Sequence, residues 1–323
     1  MKCFQGVILV SVISLIWTSK RYNEIITCTA DQEQWHQSQC VPVPKSGDLS
    51  DPNKWRGIML MDVGSKIFSS VMNERAFKLL DMSGTKVQFG GTPELGCRDG
   101  LFVLKTMLNL QKNHNLPSHV AFIDLVKAYD TADHNILLDI IERYGAPPHF
   151  VTAVARIYRD LILILKIEKD IVKLPQNVGV RQGDNMAPVL FLFLMSAIAE
   201  TLEVAWKETG IAVCTVRSVT GARLTAGNGK IRGHSPKEYL AHDLTTVEIF
   251  QCPYIDDGAF IFSSHDNLIR GIELIHHHFA RLGLEMHILD KELITPSKTD
   301  VFFPPPRFFS ASSRSHSRNQ RER

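Results

Sequence analysis

Two adjacent aspartates, Asp256 and Asp257, interrupt an apolar run in QCPYIDDGAFIF (251–262). Burying one unpaired carboxylate is costly, and burying two that repel each other is worse. Either the pair sits on an exposed turn, or a cation comes to meet it. Neighbouring strand residues point to opposite faces, so both carboxylates reach one region only at a hairpin tip. Asp-Asp-Gly is also ordinary turn chemistry, and taken alone it reads as a plain turn.

A second station changes that balance. VAFIDLVKAYD (120–130) places Asp124 at the end of an apolar strand, before a helix. That is where α/β sheets present ligand groups. Asp124 and Asp256 are far apart in the chain, so only the fold brings them together. Three carboxylates converging from two strand ends call for divalent cations. Mg²⁺ is the natural one, with hard oxygen ligands and an affinity for phosphates. Paired ions of this kind serve polymerases. A third station, GVRQGDNMAPVLFLFLM (179–195), leads a Gly-Asp loop into an apolar helix.

The elements that must position these groups read as a mixed α+β chain. Apolar spacing predicts a helix over 62–80 with Ile67, Val71, Phe77 and Leu80 on one face, and another over 99–113. HVAFIDL (119–125) reads as a strand. Asp133 caps a helix closed by Gly145. Residues 161–180 read as two strands around a turn at 168–170. A long apolar helix covers 184–208; Pro188 and Glu200 bracket its apolar run, which is too short to cross a membrane. A helix over 266–282 and a strand over 297–303 complete the pattern. VPVPKSGDLSDPNKW (41–55) and QFGGTPELG (88–96) read as loops. Residues 210–247 read as an insertion, and the Ser/Arg-rich end from 306 to 323 as disordered.

The 323 residues carry a net charge of only +2, which neither demands nor excludes a nucleic-acid partner. Six scattered cysteines, Cys3, Cys28, Cys40, Cys97, Cys214 and Cys252, form no CxxC pair and fit a reducing compartment. The apolar start, FQGVILVSVISLIW, has the look of a signal-peptide core and also of a buried helix.

In this order, the three stations resemble motifs A, B and C of reverse transcriptases, above all those of non-LTR (LINE-like) retrotransposons. AFIDLVKAYDTADH is similar to motif A, GVRQGDNMAP to motif B, and YIDDGAFIF to motif C. VPVPKSGDLSDPNKWRGIML and QFGGTPELGCRDGLFVL resemble the two fingers motifs. GLEMH with SKTDVFF resembles motif D. The resemblance implies a right-hand polymerase fold, with fingers over 1–117 and palm over 118–305, including a fingers-like excursion near 150–180. It also makes the apolar start a fingers helix that precedes Trp35. No thumb segment is expected after the palm.

By the same resemblance, Asp124, Asp256 and Asp257 are the catalytic carboxylates that hold two Mg²⁺ ions, with Mn²⁺ as a substitute. Tyr129 lies under the incoming sugar and excludes a 2′-hydroxyl. Gln182, Gly183, Arg56, Lys45 and Lys298 serve the nucleotide. Tyr254 and Arg181 serve primer and template. The implied partners are an RNA template, a nucleic-acid primer and deoxynucleoside triphosphates, with no membrane. The expected location is intracellular, nuclear or cytoplasmic.

The chain departs from the family pattern at Ala187-Pro188, where Ser-Pro is usual, and at Gly90-Gly91-Thr92, where Gly-Phe-Arg is usual. Two other readings stay open. One is an RNA-dependent RNA polymerase, with Asp124 and Asp130 as its paired aspartates, although YIDD and Tyr129 speak against it. The other is an inactive, truncated remnant with weak nucleic-acid binding.

Overall fold

The computed structural model describes residues 19–20, 22–25, 33–45, 47–84, 88–113, 116–211, 214–219, 244–249, 251–288 and 298–304. The expectations for 1–18, for the middle of the 210–247 stretch and for 306–323 lie outside them. The chain forms two compact units, each assembled from three separated stretches. The first is Met1–Lys86, Leu125–Thr201 and His278–Glu285. The second is Val87–Asp124, Leu202–His277 and Met286–Arg323.

In the first unit, β1 (Gln37–Pro44), β2 (Trp55–Leu60), β4 (Leu161–Ile167) and β5 (Asp170–Gln176) form a sheet in the order β2-β1-β4-β5. The stretch 41–55 is therefore not all loop. Its VPVP start is strand because β1 pairs with β4 only as far as Cys40↔Leu165, while pairing with β2 continues to Pro44↔Trp55. Pro42 and Pro44 thus sit where one side of the strand is an open edge, which a residue without an N–H tolerates. β4 and β5 form the expected hairpin, with Glu168 at φ 52° in its turn.

Helix α1 (Val63–Ser83) starts where expected, because the Asp62 carboxylate accepts from the Gly64 and Ser65 amides at 2.8 and 3.4 Å. Its buried face is Phe68, Met72, Ala76 and Leu80; Leu80 is as expected, while Phe68, Met72 and Ala76 replace the expected Ile67, Val71 and Phe77, and Ile67 is 48% exposed. The aromatic ring decides this: Phe68 packs on Trp35 and Tyr22, with centroids 5.4 and 5.5 Å apart. Asp133 caps a helix over His134–Arg143, accepting from the Asn135 and Ile136 amides, and Gly145 at φ 93° turns the chain beyond it. Pro148–Tyr158 is helical as well.

The long helix Ala187–Thr209 buries Leu190, Phe191 and Phe193 completely. At 23 residues it outruns its apolar stretch and is long and apolar enough to cross a membrane by length and composition. Two thirds of its most apolar window (67%) is buried inside the protein, as in a core helix.

The second unit is built on an antiparallel sheet of β10 (Asp300–Phe302), β3 (His119–Ile123), β9 (Asp257–Phe262) and β8 (Gln251–Tyr254), in that order. The helix Cys97–Asn113 packs Leu104 and Met107 onto Val120, Cys252, Ala259 and Ile261 of one sheet face. On the opposite face lie Phe260 and Phe262, against Trp206 at 5.9 and 6.1 Å between centroids. The helix His265–Arg281 comes so close that a Cβ on Gly271 would lie 2.2 Å from the Phe262 ring. β6 (Cys214–Val219) and β7 (Leu244–Ile249) pair antiparallel.

Candidate active site

The apolar run at 251–262 folds as the hairpin its pattern suggests. Cys252↔Ala259 and Tyr254↔Asp257 are paired residues, leaving Ile255 and Asp256 as the two-residue turn. Ile255 takes φ 58°, a left-handed conformation that β-branched residues avoid. Holding such a residue there costs about 1–3 kcal/mol, so its surroundings must impose it.

Register then places four side chains in a row across the sheet. β3 and β9 pair up to Ile123↔Gly258, and the next step sets Asp124 opposite Asp257. β10 and β3 pair from Asp300↔Phe122, and the same continuation sets Lys298 opposite Asp124. Tyr254 is paired to Asp257 on the far side. The row reads Lys298, Asp124, Asp257, Tyr254, with Asp256 on the adjoining turn. Like charges directly opposed on a sheet are destabilising.

The electrostatics agree. Loss of hydration, then Asp256, then Asp124 push the Asp257 carboxyl above its ordinary range, and Lys298 only partly offsets this. Asp124 Oδ2 is buried and accepts no hydrogen bond. Lys298 Nζ, 3.3 Å away, meets it only as a charge, from a side chain that is itself 67% exposed. Backbone contacts hold Asp124 in place: its carbonyl accepts from the His287 amide at 2.8 Å, and its amide donates to Thr299 Oγ1 at 3.4 Å. Beside the row opens a cavity of about 490 Å³, walled by Leu101, Leu104, Phe122 and Pro253, with Asp124, Asp257 and Lys298 at its polar end.

The donor set suits a hard divalent cation: carboxylate oxygens from a sheet row and its adjoining turn, with burial and like charges raising the Asp257 pKa. Among the described residues, no three His, Cys, Asp or Glu side chains converge into a closed ligand set. Asp257 senses the charges of both Asp256 and Asp124.

The other expected site residues belong to the first unit. The Tyr129 ring stacks on Phe191, with centroids 4.7 Å apart and planes at 17°. Gln182 donates through Nε2 to Asp130 at 2.9 Å, and its carbonyl accepts from the Met59 amide at 2.7 Å. Gly183 has φ 116°, and a Cβ there would lie 2.6 Å from the Met59 carbonyl oxygen. Glycine is thus required at 183 by backbone approach. Lys45 and Arg56 are exposed near the open end of β1 and β2.

Arg181 corrects the sequence reading. It was expected to touch primer or template, yet it is 0% exposed. Its guanidinium pairs with Asp184 at 3.1 Å, donates to the Trp35 carbonyl at 3.0 Å and lies 5.5 Å from the Tyr158 ring centre. Asp184 also accepts from the Met186 amide at 3.1 Å, which fastens the start of the long helix. The spacing Arg-x-x-Asp in RQGD was the available signal for this internal pair.

The fold has a counterpart among known proteins. Residues 43–298 match the family described as reverse transcriptase (RNA-dependent DNA polymerase), and the chain belongs to that family. Within it, the chain is similar to the Pol polyprotein of the type-1 retrotransposable element R2 of Popillia japonica, at 23% identity over 216 residues, 66% of this chain and 28% of that protein. It is also similar to the type-2 element R2DM of Drosophila melanogaster, at 25% identity over 56% of this chain and 17% of that protein. The chain thus spans well under a third of these relatives. Among solved structures, apo telomerase of Candida tropicalis truncated from its C-terminal domain aligns with a TM-score of 0.53 at 14% identity, over 90% of this chain and 55% of that one. The fold is the right-hand polymerase fold.

Proposed function

We propose that the chain is the polymerase core of an RNA-directed DNA polymerase, adding deoxynucleotides to a primer 3′-hydroxyl on an RNA template. The observation that carries this is the row of Asp124 and Asp257 with Asp256 on the adjoining turn, in a chain of this family. Asp124, Asp256 and Asp257 would hold Mg²⁺, or Mn²⁺ in its place. Such ions activate the attacking oxygen and neutralise charge on the leaving pyrophosphate.

The chain's own groups prepare for this in specific ways. Asp256 and Asp124 raise the proton affinity of the Asp257 carboxylate, and the same excess of negative charge favours a bound cation. Lys298 serves Asp124 as a charge alone, so it is free to turn its ammonium to a triphosphate. Tyr254, 38% exposed at the end of the row, presents a ring to a primer terminus. Tyr129, fixed flat against Phe191, gives a rigid surface that excludes a 2′-hydroxyl. Gln182, Gly183, Lys45 and Arg56 take the nucleotide-contact roles that the family motifs assign. Residues 1–117 act as fingers and 118–305 as palm. Free thiols at Cys40, Cys97 and Cys252 suit an intracellular, reducing location.

The test is primer extension with oligo(dT) on poly(rA), dTTP and Mg²⁺, comparing the chain with Asp256→Ala. Incorporation that the substitution abolishes supports the proposal. A folded chain that binds the RNA and incorporates nothing overturns it in favour of a remnant. Incorporation of UTP in preference to dTTP overturns it in favour of an RNA polymerase.

A further inference from the structure

We propose that Gln88 is a positioning residue that locks the turn carrying Asp256 and Asp257; this rests on the polymerase reading of that turn. Ile255 sits left-handed at φ 58°, directly before Asp256. Neither glycine nor asparagine is there to make that conformation easy, so a neighbour has to enforce it.

Gln88 supplies the enforcement. Its side chain is buried, with the residue 7% exposed. Its Oε1 accepts from the Ile255 amide at 2.9 Å, and its Nε2 lies 3.5 Å from the Ile255 carbonyl. One side-chain amide thus meets both polar groups of Ile255, as the peptide of an adjacent strand would. The same Oε1 accepts from the Gly90 amide at 3.0 Å, which fixes the glutamine to its own loop. The loop is tied to the hairpin again where the Phe89 amide donates to the Pro253 carbonyl at 3.1 Å.

Gly90 makes this approach possible. A Cβ there would lie 2.7 Å from the Ile255 nitrogen and 2.6 Å from its Cγ1. Residues 88–90 therefore act as a short extra edge laid along the turn. Without the Gln88 amide, Ile255 relaxes toward negative φ. The peptide that rotates is the one leading into Asp256, so that carboxylate moves first. Asp257 is held by its pairing with Tyr254 and moves less.

The experiment uses the full chain, metal-free and titrated with Mn²⁺, in Gln88→Met and Gln88→Asn forms. Asparagine keeps the amide but is one methylene too short to reach Ile255. Thr92→Val is the control, since Thr92 Oγ1 donates to the Gln88 carbonyl at 2.8 Å, within its own loop. Both Gln88 variants are expected to speed amide exchange at Ile255 about tenfold or more. They should weaken Mn²⁺ binding, read by electron paramagnetic resonance, by about tenfold, as loss of a group that orients a ligand does. In primer extension kcat falls while KM for dTTP stays put. Thr92→Val moves none of these. Ile255→Gly, which accepts left-handed φ freely, should make Mn²⁺ binding much less sensitive to Gln88→Met. Unchanged exchange and Mn²⁺ binding in a folded Gln88→Asn chain overturn the proposal. Altered exchange and Mn²⁺ binding in a chain with no polymerase activity uphold the positioning role and overturn the polymerase reading instead.

Discussion

The two units treat acidic side chains in opposite ways. In the first, Asp184 is fully buried and fully answered: a guanidinium at 3.1 Å, the Met186 amide and the Tyr158 hydroxyl at 3.5 Å. Burial, and then the charge of Asp184, pushes the Tyr158 hydroxyl far above its ordinary range. In the second, Asp124 and Asp257 share one exposed lysine, and one buried oxygen of Asp124 accepts no hydrogen bond. A closed pair of charges is a structural strut. An open group of like charges is a site that is stabilised by what it binds, and it carries a standing cost in the protein without its ligand.

Substitutions test this contrast. The largest effect is expected for Asp256→Ala, which should lower primer extension by roughly 10³-fold or more while leaving the melting temperature within a few degrees. Next is Asp184→Ala, which leaves Arg181 as an unpaired buried cation. It should destabilise the protein by about 3–5 kcal/mol in urea titrations, with activity lost only through unfolding. Gly183→Ala comes third. Strain at φ 116° and contact with the Met59 carbonyl should cost about 1–3 kcal/mol in the same titration.

The smallest effect has the opposite sign. Asp257→Asn removes one of two facing carboxylates, so the metal-free protein should gain a few tenths to about 1 kcal/mol, discounted for the exposure of this residue. The pH dependence sharpens the point. The folded state raises the Asp257 pKa above its ordinary 3.8, so it takes up a proton before the unfolded chain does. That contribution is full below the ordinary value and is lost as pH rises through the raised one. Thermal melts of the metal-free chain should show this decline from acid toward neutral pH. Asp257→Asn should flatten it, and excess Mg²⁺ should restore stability at neutral pH. A decline that persists unchanged in Asp257→Asn would show that the carboxylate row is not its source.

Much of the second unit was legible because its signals are local. The hairpin at 251–262, the strand ending before Asp124 and the helix over 97–113 follow from short apolar runs bounded by turn residues. Lys298 opposite Asp124 was not legible, because strand register over long separations is set by the whole sheet. In the first unit, Arg181 misled because arginine is rarely buried and the motif around it suggested contact with nucleic acid. On the helix over 63–83 the expected Ile67 gave way to Phe68 because both are apolar. Only the aromatic neighbours Trp35 and Tyr22 choose between them.

The pairing of β3 with β9 carries a consequence for how the chain is made. These partners are adjacent in the sheet but far apart in sequence, joined through the whole of Leu125–Thr201, which belongs to the other unit. At ordinary rates of synthesis, β9 leaves the ribosome on the order of ten seconds after β3. During that interval β3 is an apolar strand with both edges unpaired, the kind of segment that associates with other chains or recruits chaperones. The carboxylate row is thus among the last features of the protein to come into being, and its yield in a cell depends on how well β3 is protected while it waits.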